Sequence, residues 1–91
     1  MNARLPDGVL TRADFPMLRL VHIHRLEPAF DCLPLVDAYQ RRCALFRHEG
    51  RFIAVLEDPL AVELQRWVEY RAGDHVEWYL VTPQDLSDWL N

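Results

Sequence analysis

CALFRHEGRFIAVLEDPLAVELQRWVEYRAG, residues 43–73, places two apolar runs, a glycine turn and a helical stripe in immediate succession. Glu49-Gly50 separates the runs. A glycine there can take the positive φ that a tight turn demands, so Cys43 to Glu57 reads as a β-hairpin. Its second strand, Phe52 to Glu57, is apolar at nearly every position, as in a strand covered on both faces. At Asp58-Pro59 the pattern switches. Asp58 is expected to cap a new helix with its carboxylate, and Pro59 to fill the first helical position with φ already set. Leu60, Leu64, Trp67, Val68 and Arg71 then recur at the spacing of one helical face, and Gly73 can close the helix in the left-handed conformation.

Downstream, HVEWYLV puts Val76, Trp78 and Leu80 on one side and His75, Glu77, Tyr79 and Val81 on the other, the period of a strand. Thr82, Pro83 and Asp85 open a last helix as cap, first residue and capping-box acid, with Leu86, Trp89 and Leu90 turned inward. Upstream, Leu33-Pro34 starts a short helix ending near Arg41 or Arg42, its apolar Leu35, Val36, Ala38 and Tyr39 gathered on one face. Met17 to Ile23 reads as a short strand, with a helix reaching Leu26 as the alternative. Residues 1–14 mix Pro6 and Gly8 with polar groups and read as a lead-in or linker. Strand, helix and strand, with a connection of about fifteen residues from Asp58 to Asp74, form a right-handed parallel crossover, to which the hairpin adds an antiparallel strand. The expected fold is therefore α+β: one domain over residues 15–91, with a three-stranded mixed sheet and three short helices.

Ninety-one residues make one modest core. No stretch approaches the ~18 apolar residues of a membrane span, and the N-terminus lacks the apolar run of a signal peptide, so a cytoplasmic protein is expected. Cys32 and Cys43 have neither metal-knuckle spacing nor the density of a disulfide scaffold, and read as reduced, packed thiols. All ten basic residues are arginine. The absence of lysine excludes Schiff-base catalysis by this side chain and a P-loop. Net charge is −4, and it is uneven: residues 1–51 carry eight arginines against six acids, residues 52–91 two against eight. That balance disfavours nucleic acid as a partner.

Catalytic patterns are weak. His22-x-His24 could share one side of a strand and, with His48 or His75, hold zinc, but no acid or cysteine stands at matching spacing, and no metal is expected. Cys43 has no glycine-rich oxyanion loop beside it. Glu57 and Asp58 are adjacent and should point apart. No enzymatic activity is expected. The densest basic spot is RRCALFRHEGR, where Arg41, Arg42, Arg47 and Arg51 with His48 meet a single acid. Guanidinium forks of this kind suit an anion or an acidic partner surface, and the alternative is a solvated flank that balances the acidic second half.

The order of elements over residues 30–90 and the steps Leu33-Pro34, Asp58-Pro59, Thr82-Pro83 and Asp85-Leu86 resemble the N-terminal domain of type II secretion and type IV pilus assembly ATPases. Such domains also occur appended to glycosyltransferases and other cytoplasmic parts of envelope machinery. The resemblance implies a non-catalytic regulatory or docking module that binds another protein of a bacterial secretion, pilus or polysaccharide-export assembly. It also implies a place at the inner face of the inner membrane, reached through that partner without insertion. A subset of the family binds cyclic di-GMP, making a sensor that uses the arginine-rich hairpin the second expectation. The tandem Arg-Leu-Gly motifs on which that binding depends are missing from the first thirty residues, and no Walker glycine loop is present.

Overall fold

The computed structural model describes residues 15–91. The lead-in or linker expected over residues 1–14 lies outside them. The elements are α1 (Leu20–Ile23), β1 (Glu27–Pro28), α2 (Leu35–Arg41), β2 (Cys43–His48), β3 (Arg51–Leu56), α3 (Val62–Ala72), β4 (Val76–Leu80) and α4 (Pro83–Leu90). The four strands form one sheet in the order β1-β2-β3-β4, with β3 and β4 parallel and the other pairs antiparallel.

The hairpin forms where expected. Cys43 pairs with Leu56 and His48 with Arg51, and the two-residue turn places both Glu49 (φ 53°) and Gly50 (φ 77°) in the left-handed region. That turn twists in the same sense as its strands. Cys43–Phe46 and Ile53–Leu56 are buried without interruption, because helices cover both faces of the sheet. On one face Cys43, Leu45, Ala54, Leu56 and Val76 pack with Ala29, Leu33, Ala38 of α2 and Val68 of α3. On the other, Ala44, Phe46, Ile53, Val55 and Val81 pack with Ile23 of α1 and Leu86 of α4. The alternation read for β4 holds: Trp78 and Leu80 join the first cluster, Tyr79 and Val81 the second. Phe46 is fully buried and meets Trp89 edge-on, ring centres 5.1 Å apart.

Four strands and four helices replace the expected three of each. The additional strand, β1, is two residues long and contains Pro28, which lacks a ladder donor and so belongs at an edge. The segment Met17 to Ile23 is neither one strand nor one helix. Pro16 and Leu18 bracket Leu80 with backbone bonds of 2.8 and 2.9 Å, a parallel bridge, and α1 begins only at Leu20.

Two caps differ from expectation. Asp58 does not cap α3: its Oδ1 accepts the Leu60 N–H at 2.9 Å, closing a side-chain turn two residues on. Pro59 is consequently a turn residue outside the helix, and α3 starts at Val62 after an Ala61 that offers no side-chain cap. Gln65 in the first turn of α3 donates from Nε2 to the Pro59 carbonyl, which ties the turn to the helix. Leu60, expected on the buried stripe, is exposed for the same reason. Gly73 closes α3 at φ 72°, its N–H on the Glu69 carbonyl. Thr82 caps α4, its Oγ1 accepting the Asp85 N–H at 3.1 Å, with Pro83 as the first residue. The Asp85 carboxylate does not complete a capping box but turns to Arg19.

Candidate interaction surface

The four hairpin arginines are separated by the strand geometry that sequence proximity conceals. Arg42 ends α2 at the start of β2, while Arg47 and Arg51 flank the turn at the far end of the hairpin. The five residues from Arg42 to Arg47 span roughly 17 Å of strand. Arg47 shares its face with Phe52, over whose ring its guanidinium lies at 5.1 Å, and Arg51 falls on the opposite face of the sheet.

Three of the four are bound to acids of this chain. Arg42 adopts the left-handed conformation (φ 58°) and donates from Nε to Glu57 at 2.8 Å, and from Nη2 to Ser87 Oγ and the Pro83 carbonyl. Arg47 forks onto both oxygens of Asp31 at 2.7 and 2.8 Å. That bidentate contact holds the Asp31 carboxyl down at about 2 and raises the Arg47 guanidinium above its usual range. Arg51 is paired with Glu77. Arg41 stacks on the Trp67 ring, its guanidinium carbon 4.0 Å from the centre. No two of the four converge on a common point, and His48 is 3.8 Å from its neighbour Glu49.

The histidine pair is likewise dispersed. His22 lies in α1 and its Nδ1 accepts the Arg19 N–H at 3.1 Å; His24 follows just past the helix end. Among the described residues no three His, Cys, Asp or Glu side chains gather where one metal ion could be held. Cys43 is fully buried and its thiol is pushed up to about 12 by loss of water, which leaves it without the thiolate a nucleophile needs. Both cysteines are free.

The surface that stands out is apolar. Leu35, Val36 and Tyr39 of α2 are 48%, 60% and 59% exposed, and of that helix only Ala38 is buried. The apolar residues read as one face thus divide: Ala38 packs, and the other three form an outward face. Phe30, also exposed, leans on Trp89 at 6.2 Å. Sequence periodicity finds the stripe but cannot tell which way it turns. A second feature, an open depression of about 630 Å³ beside α1 and α4, is lined by Arg19, Leu20, Val21, His24 and Asp85.

Comparison with family models, with curated proteins and with solved structures finds no match to this chain. Among the described residues no helix is long and apolar enough to cross a membrane.

Proposed function

We propose that this domain is a non-enzymatic docking module that holds a short apolar segment of another protein on the outward face of α2. The observation that carries the reading is the exposure of Leu35, Val36 and Tyr39 together on a helix with one buried residue. Adjacent exposed apolar side chains on a short helix mark a surface meant to be covered. Three side chains on two turns offer far less than the ~800 Å² per partner of a stable symmetric dimer, which favours a partner segment over a second copy. The resemblance to N-terminal domains of secretion and pilus ATPases supports a partner within a bacterial envelope assembly, with the domain on the cytoplasmic side. Three of the four hairpin arginines are already engaged by Glu57, Asp31 and Glu77, and Arg41 stands apart from them on Trp67, so sensing through the hairpin is the weaker reading.

The test is site-specific photocrosslinking in the native cells, with the reactive side chain at Leu35, Val36 or Tyr39, and at Arg66 as an exposed position elsewhere. The expected result is one adduct from the α2 positions, absent from position 66, that mass spectrometry identifies as a component of an envelope assembly. Adducts that do not depend on position, or none, overturn the proposal.

A further inference from the structure

We infer that the seam between α2 and α3 is a recognition site for the carboxylates of an acidic peptide segment, formed by Arg41 and Arg71 on the ring of Trp67. Arg41 lies 4.0 Å and Arg71 5.8 Å from the Trp67 ring centre, so their guanidinium carbons are no more than about 10 Å apart. The two come from parts of the chain thirty residues apart, and only one of them belongs to the basic run of the hairpin.

Of the eight described arginines, Arg25, Arg41, Arg66 and Arg71 have no acid within ion-pair distance, and of these four only Arg41 and Arg71 lie by an aromatic ring. Arg19, Arg42, Arg47 and Arg51 each hold a carboxylate within ion-pair distance. Arg41 and Arg71 have none among the described residues, although acids outnumber arginines in the chain. Asp37, one turn before Arg41, is the acid nearest to it on α2, and no ion pair joins them. The two cations are held instead by neutral groups: the Trp67 indole, within about 6 Å of both, and the Cys32 carbonyl, which accepts Arg71 Nε at 2.9 Å. A guanidinium carries five N–H donors in one plane, and the Nη groups of Arg71 remain after Nε is used. Side chains so placed lose little further freedom on binding an oxyanion. Trp67 is half-buried, which shields one side of each cation from water.

The site is distinct from the apolar face. The helical step puts Arg41 about 140° around α2 from Val36, on the α3 side, so the inference stands whether or not Leu35, Val36 and Tyr39 dock a protein.

The experiment titrates the ¹⁵N-labelled protein with a capped hexaglutamate peptide at low salt and follows the Trp67 indole N–H. A saturable shift is expected. Arg41→Gln and Arg71→Gln should each weaken binding by about fivefold, the upper end for an exposed ion pair. Arg66→Gln, also an exposed arginine without an acid partner, should change it by less than about twofold. The hexaglutamine peptide should give no shift. Equal losses for all three variants would reduce the effect to diffuse charge and overturn the site. So would an unmoved Trp67 signal in the unmodified protein, or a response to inorganic phosphate without one to hexaglutamate.

Discussion

Arg19 and Asp85 are 66 residues apart in the chain, and the Arg19 Nε donates to Asp85 Oδ2 at 2.7 Å. The same oxygen accepts the Leu20 N–H at 3.2 Å, so one carboxylate holds the entry to α1 against the first turn of α4. Asp85 is only 7% exposed. A carboxylate this buried needs its donors, because water cannot replace them.

Asp85→Asn should therefore lower Tm, since the amide oxygen that takes the place of Oδ2 carries no charge to pair with the Arg19 guanidinium. Arg19→Gln should cost less, the Leu20 N–H remaining in place. The double variant should fall short of the sum of the single effects, which thermal melts at neutral pH will show.

Acid should act through the same kind of pair. The Asp31 carboxyl sits at about 2 because of Arg47, and Asp85 is held below its ordinary 3.8 by the bond from Arg19. Both carboxyls are lowered by folding, so their contribution is complete above about pH 4 and is lost as pH falls through the folded values. Urea midpoints should stay level from pH 7 to about 4 and decline below it. Arg47→Gln should remove the Asp31 share of that decline.

Turn and cap substitutions distinguish residues that look alike in sequence. Gly50→Ala should cost about 1 kcal/mol, since alanine resists φ 77°. Glu49→Asn should gain a few tenths of a kcal/mol, asparagine tolerating the left-handed region better than glutamate. Thr82→Ala should cost about 1 kcal/mol as the loss of a helix cap. Asp58→Ala should cost less, because it removes a turn bond to Leu60 and leaves α3 intact. Chemical denaturation ranks the four.

Thiol labelling should separate the cysteines. Cys32 is half-buried and Cys43 fully buried with its thiol at about 12. A disulfide reagent at neutral pH should modify one thiol per chain quickly, at Cys32. The second should react only at the rate of unfolding, and a fast second equivalent would contradict the packing of β2.

What could be read in the sequence was what neighbouring residues encode. Glu49-Gly50, Gly73 and Thr82-Pro83 act within four residues, and each does in the structure what its local chemistry dictates. Asp58-Pro59 shows the limit of local reading. A side chain that accepts an N–H two residues on serves a helix cap and a turn equally well, and only the position of Val62 decides between them. Longer-range facts were not readable. β1 has two residues and no period, the Met17–Leu80 bridge spans most of the domain, and the arginines find partners 15 to 66 positions away. A cluster of charges along a strand is a property of the letter string, and pairing across the sheet dissolves it.

The left-handed Arg42 has a mechanical consequence. Its backbone ends α2 while its side chain grips Glu57, beyond the central strand, and Ser87 on α4. Torque on α2 is thus transmitted to two other elements through one side chain. A partner pulling on Val36 would load the middle of the sheet and the last helix together, and would not peel α2 away alone.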